Sequence, residues 1–213
     1  MRHYPAGDTS APTLVFGHGA GAGQEHPWIV RVAKGLAGRG VSVVTFNFPY
    51  RAEGRRLPDK PAVLEAAFQA VWTGVVAADR DAGRSAGRYF AGGKSMGARI
   101  SSQAAAGGGF SPPPAGLVFF GYPLHPPAKP DQRRDRHLPN VAAPMLFLHG
   151  TRDPFGSPEE MRTLAEGLPG VSLEIIPGGD HSLAASKKDD PDRQSLDRAM
   201  DLAAAWIHRT VTA

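Results

Sequence analysis

The sequence has no cysteine among its 213 residues. That absence excludes a disulfide framework, a thiolate metal site and a cysteine nucleophile, and it fits a reducing compartment. The first eight residues, from Met1 to Asp8, hold no apolar segment of the kind a secretory leader requires. No stretch reads as long and apolar enough to span a bilayer, so no membrane association is expected and the cytoplasm is the expected location. An excess of one charge is missing too. Lys and Arg total 24 against 20 Asp and Glu, a net charge of +4, and the charges are scattered. A solvated surface explains this better than nucleic-acid binding. No internal repeat, linker or low-complexity tract is apparent.

Glycine and proline, by contrast, are plentiful, with 26 and 20 copies, and they cluster at turns. Between them lie six short β-like runs at 13–16, 41–46, 88–92, 117–120, 145–148 and 173–176. Helical patterns separate most of them: Trp28, Ile29, Val32, Ala33 and Leu36; a long pattern opened by Pro61; 98–106; about 158–168; and about 191–208. Alternating strands and helices with continuously apolar strands predict an α/β three-layer sandwich, with a mostly parallel sheet of about six strands. The length suits one domain over 1–213. The one long connection, at about 122–143, is Pro-rich and too short for a separate cap domain, so it is expected to form a rim.

Gly93-Lys94-Ser95-Met96-Gly97 is a G-x-S-x-G motif between a strand and a helix, the context in which a serine hydroxyl is exposed on a tight turn at the sheet edge. A serine hydroxyl is a poor nucleophile at neutral pH. It needs a base, a carboxylate to orient that base, and two N–H donors for an oxyanion. Asp153 follows the fifth run and His181 the sixth, which gives the order Ser, Asp, His expected for this motif. The amide after the serine, on Met96, is one expected donor. The second is expected from Gly17-His18-Gly19-Ala20-Gly21, with Ala20 as donor and Gly21 as its neighbour. The catalytic set is therefore Ser95, Asp153 and His181, and the oxyanion hole Ala20 and Met96. Gly21, Tyr50, Tyr122, Leu124, His125 and Phe155 are expected to contact substrate, and Trp28 and Phe120 are divided between pocket and core.

The same residues admit rival readings. Gly93-Lys94-Ser95 ends like a P-loop, but the first glycine of that motif falls on Arg88. Gly17 to Ala22 matches a dinucleotide loop, yet Asn47 stands where a ribose-binding carboxylate belongs. Asp180 competes with Asp153 but is the sequence neighbour of His181, and such a neighbour usually points elsewhere. His18 is expected to shape its turn and His149 to be a satisfied buried histidine. The loops carrying Arg51, Arg55, Arg56 and Lys60, and Lys129, Arg133, Arg134 and Arg136, read first as solvated loops and second as a basic rim for anionic acyl substrates.

The motifs GHGAGAG (17–23), FNFPY (46–50), GGKSMGAR (92–99), GYPLHPP (121–127), GTRDPFG (150–156) and GDHSL (179–183) resemble the α/β-hydrolase superfamily. Within it they resemble the uncapped, dienelactone-hydrolase-like branch, and most of all the small family of testis-expressed protein 30 and the hydrolase-like domain of NSL complex subunit 3. The resemblance implies a reduced α/β-hydrolase fold. The first and third β-like runs would lie side by side, and the usual two antiparallel leading strands would be missing or reduced. It implies a serine hydrolase of a small-molecule carboxylic ester or thioester, working through an acyl-enzyme without metal or cofactor, as a monomer or homodimer. The alternatives are a partner-binding module that keeps the scaffold with little turnover and, more weakly, a nucleotide-dependent enzyme.

Overall fold

The computed structural model describes residues 1–83 and 88–212. Seven strands, β1 (Arg2–Tyr4), β2 (Thr13–Gly17), β3 (Ser42–Thr45), β4 (Tyr89–Lys94), β5 (Gly116–Phe120), β6 (Met145–Gly150) and β7 (Val171–Ile176), make one sheet in the order β1-β3-β2-β4-β5-β6-β7. All neighbours are parallel except β1, which pairs antiparallel with β3 through Arg2↔Thr45, His3↔Val44 and Tyr4↔Val43. The expectation of about six strands with the leading antiparallel pair missing or reduced holds, with one strand more than the six runs: the three-residue antiparallel β1. Three half-exposed residues carry too little pattern to read as a strand; the ladder to β3 defines them.

The helices are α1 (Pro27–Ala37), the short α2 (Pro49–Ala52), α3 (Pro61–Asp81), α4 (Met96–Ala106), α5 (Pro158–Glu166) and α6 (Ser195–Thr212). Alternate strand side chains point to opposite faces, which splits the core in two. Val15, Ala91, Leu117, Phe119 and Phe147 pack with Leu64, Phe68 and Trp72 of α3 and Ala98 and Ile100 of α4. Leu14, Phe16, Phe90, Val118, Phe120 and Leu148 pack with Ile29, Val32 and Leu36 of α1 and Met200, Ala203 and Ile207 of α6. Helix α6 begins at Ser195, later than its pattern predicts, because Asp190 accepts from the amides of Gln194 and Ser195 and caps it there.

Helix α3 corrects the expectation that no segment is long and apolar enough to cross a bilayer. It has 21 residues and an 18-residue window of mean hydropathy 1.3. Its alanines and valines raise that mean, and its large side chains Leu64, Phe68, Trp72, Val75 and Val76 form one buried stripe against the sheet. This is the pattern of an amphipathic helix packed on a sheet.

The chain turns to opposite sides of β2 after β3 and before β4, so strand order reverses between β2 and β4, and a crevice at their carboxyl ends follows. Their pairing runs up to Gly17↔Gly93. There the backbones touch: a Cβ on Gly97 would lie 2.1 Å from the Gly17 carbonyl oxygen, and one on Gly93 would lie 2.4 Å from it. Gly74, in α3, has open space around it. Gly97→Ala should therefore lower stability by about 2 kcal/mol or more through overpacking. Gly74→Ala should raise it by about 0.5–1 kcal/mol through helix propensity. Urea unfolding of both variants checks the pair.

Candidate active site

Strand β4 ends at Lys94 and α4 starts at Met96, which leaves Ser95 alone to make the corner at φ +52° and ψ −110°. A non-glycine residue with positive φ is strained and persists only where its surroundings fix it. Here the Ser95 amide donates to the Phe120 carbonyl, and the Ser95 carbonyl accepts the first α4 bond from Arg99. Its hydroxyl is left facing a cavity of about 430 Å³ lined by Gly19, Ala20, Gly21, Trp28, Phe155 and His181, among others.

Two loops bring polar side chains to this corner. His181 Nε2 lies 2.9 Å from Ser95 Oγ, and its Nδ1 lies 2.8 Å from Asp153 Oδ2. Phe155 stacks on the His181 ring at 4.2 Å between centroids. The Asp153 carboxylate is buried, which alone would raise its pKa. The hydrogen bond and charge of His181, with the Phe155 amide on Oδ1, outweigh this and hold it below the usual carboxylate value. An anionic Asp153 favours the Nδ1–H form of His181, and that form presents a lone pair at Nε2 to the serine. Asp180 Oδ1 instead accepts from the Ser182 and Ala184 amides of its own turn.

The loop after β2 is held from below. His18 is fully buried, with Nδ1 2.8 Å from the Gly19 carbonyl and Nε2 3.2 Å from the Phe48 amide. One partner accepts and the other donates, so the neutral Nδ1–H tautomer fits both. Burial pushes the pKa of His18 down to about 4, against a smaller opposing effect of that carbonyl. Tyr50 donates its hydroxyl to the Ala20 carbonyl at 2.7 Å. In a trans peptide the N–H points opposite to the carbonyl. With the Gly19 and Ala20 carbonyls held by buried rings, the Ala20 and Gly21 amides are turned away from them. The Met96 amide is at the first position of α4, one of the N–H groups a helix leaves without an internal partner.

Two more side chains grip the His181 loop. Lys94 donates its ammonium to the His181 carbonyl at 2.6 Å, and Trp28 donates Nε1 to the Ser182 carbonyl at 3.0 Å. Lys94 Nζ lies 5.8 Å from the centroid of the Trp28 ring. Burial lowers its pKa to about 8, partly opposed by Asp153 and Asp180. In sequence Lys94 reads only as a P-loop lysine, because its partner is 87 residues away.

The expected substrate contacts divide. Gly21 and Phe155 line the cavity beside Ser95, and so does Trp28. Tyr50, Tyr122, Leu124 and His125 are corrected to buried supports. Tyr50 holds the Ala20 carbonyl, and Tyr122 donates its hydroxyl to the Arg134 carbonyl. His125 sits between the Pro126 carbonyl and Glu160. Leu124 fills the core over Gly156. His149 is buried as expected, with Nε2 on the Gly156 carbonyl, but it is not fully satisfied: among the described residues its Nδ1 has no hydrogen-bond partner. Asn47, where a nucleotide site wants a carboxylate, accepts the Gln24 amide and donates to Glu25. It ties the loop after β3 to the loop after β2.

The sequence profile of the family described as "Alpha/beta hydrolase domain" matches residues 10–208. No curated protein matches the chain. Among solved structures, the dienelactone hydrolase of Anabaena variabilis is 22% identical with a TM-score of 0.73, over 96% of this chain and 88% of that one. An α/β serine hydrolase without lid from Xanthomonas campestris is 19% identical with a TM-score of 0.65, over 98% and 85%. The monoacylglycerol lipase of Paleococcus ferrophilus is 15% identical with a TM-score of 0.68, over 98% of each chain. At these identities the likeness is one of fold.

The neutral His18 has a consequence for stability. Its folded pKa of about 4 lies below the ordinary histidine value of 6.5. Between those values the unfolded chain binds the extra proton, so stability is full above the upper one and falls as pH drops toward the lower. The wild type should lose on the order of 2 kcal/mol from this group between about pH 7 and about pH 4.5. Urea unfolding of the wild type and of His18→Gln at both pH values should give a flatter pH slope for the variant.

Proposed function

The chain belongs to the alpha/beta-hydrolase family, and on that premise we propose that it is a serine hydrolase cleaving a carboxylic ester or thioester through an acyl-enzyme on Ser95. The observation that carries this reading is the 2.9 Å approach of His181 Nε2 to Ser95 Oγ, with Asp153 2.8 Å behind the imidazole. In the proposed reaction Ser95 Oγ bonds to the substrate carbonyl carbon and gives its proton to His181 Nε2. The carbonyl oxygen becomes an oxyanion that the Met96 and Ala20 amides stabilise. As the tetrahedral centre collapses, the bond to the alkoxide or thiolate breaks, and His181 returns the proton to that leaving group. Water then attacks the acyl-enzyme, with His181 again taking a proton, and the carboxylic acid leaves as Ser95 Oγ is reprotonated. Asp153 keeps the imidazole in register and stabilises its cation. Trp28, Ile29 and Phe155 give the cavity apolar walls suited to an acyl or leaving group.

A fluorophosphonate probe should label the wild type once, at Ser95, and should not label Ser95→Ala. No labelling of the wild type, or equal labelling of the variant, would sink the hydrolase reading and favour a partner-binding role. Lys94 and Trp28 act on this reaction as positioning residues through the His181–Ser182 backbone. Lys94→Met should slow labelling by about tenfold and speed hydrogen exchange of the 181–184 amides, with the melting temperature little changed. Slower labelling without faster exchange there would remove the positioning argument.

A further inference from the structure

Helix α4 carries a second concavity farther along its length. A hollow of about 360 Å³ is lined by Arg99 and Gln103 of α4 and by Arg133, Arg134, Arg136 and His137 of the β5–β6 connection. It shares no lining residue with the cavity beside Ser95. Arg99 and Gln103 are four residues apart, on one helix face. The loop opposite is held by its backbone: the Arg134 amide donates to the Leu124 carbonyl, and the Arg134 carbonyl accepts the Tyr122 hydroxyl. The guanidiniums therefore project from fixed positions.

Four arginines around one hollow repel each other unless carboxylates intervene. Arg133 is neutralised by Asp135 and Glu160. Among the described residues, Arg99, Arg134 and Arg136 have no ion-pair partner. Arg99 spends one N–H on the Gln103 side-chain oxygen, and its buried Nε has no hydrogen-bond partner among the described residues. A buried donor left unsatisfied costs free energy, more so on a charged group. Burial and then the charge of Arg134 pull the pKa of Arg99 down, and burial and then Arg99 lower His137 to about 4. His137 is neutral at pH 7 and bonded to Ser102. The result is a bowl of positive charge with unused donors.

We propose that this hollow is a binding site for a phosphate group carried by a small molecule, separate from the serine pocket. Phosphate fits because it carries about −1.5 to −2 charge and three acceptor oxygens, against three unpaired guanidiniums that bind such oxygens in bidentate fashion. A lone carboxylate brings a single charge and satisfies the set less well. Nucleic acid fits less well still, since among the described residues no Phe, Tyr or Trp lines the hollow to stack a base.

The test is calorimetric titration of the full chain with inorganic pyrophosphate, at low salt and again near physiological salt. The wild type should bind one equivalent. Arg134→Gln with Arg136→Gln should weaken binding by roughly tenfold or more. Arg56→Gln with Lys60→Gln removes the same charge from another loop and should change binding by less than about twofold. Pyrophosphate should also protect Arg99, Arg134 and Arg136 from phenylglyoxal in the unmutated protein, read by peptide mass spectrometry, so the answer does not hang on the folding of a variant. The proposal is overturned by no saturable binding, by equal weakening in both double variants, by absence of protection, or by a single-stranded oligonucleotide or citrate binding more tightly than pyrophosphate. Unchanged pyrophosphate affinity in Ser95→Ala is expected and would separate this site from the hydrolase reading. A loss there would place the phosphate in the serine pocket and overturn the assignment.

Discussion

The reactive edge depends on how closely the turn after β4 lies against the end of β2. Backbone meets backbone there, and a single methyl on Gly97 would sit 2.1 Å from the Gly17 carbonyl oxygen. That contact allows the sharp corner at Ser95, with its positive φ. It also sets the loop after β2 beside the first amide of α4. Any side chain at Gly93 or Gly97 would separate the two strand ends, and with them the serine from the amides of residues 19–21.

A second layer of buried polar groups fixes what this contact brings together. Each meets a partner of matching sense. His18 spans a carbonyl and an amide, Tyr50 caps the Ala20 carbonyl, and Lys94 and Trp28 cap successive carbonyls at His181 and Ser182. Such groups are costly to bury without partners and rigid with them. Asp153 follows the same logic with a full charge, kept anionic by His181 and the Phe155 amide despite its burial. His149 Nδ1, without a hydrogen-bond partner among the described residues, departs from this, and so does the arginine hollow on α4. There the fold gathers like charges and leaves donors unused.

The sequence was legible where chemistry follows strand ends. Ser95, Asp153 and His181 each close a different β-like run in the required order, and the structure brings all three within hydrogen-bond reach of one another in a chain. Asp153 and Asp180 were separable because a residue adjacent to His181 caps its own turn. Tyr50, Tyr122, Leu124 and His125 were misread as pocket residues. Apolar and aromatic residues near strand ends look alike in sequence, whether they face a cavity or a core. Strand β1 is not legible in sequence because three residues have no period of their own, and the apolar length of α3 is masked by the polar residues spaced along it.

By itself the sequence determined the α/β alternation, the glycine corner around Ser95 and the order of the polar groups, because these are local properties of spacing and side-chain type. Only the tertiary structure decided which face each aromatic ring takes and that β1 closes the sheet edge. It alone set Lys94 against the His181 carbonyl across 87 positions and put Arg99 in one hollow with Arg134 and Arg136. Those pairings depend on how the layers dock, and docking is set by the summed packing of both cores rather than by any short stretch of chain.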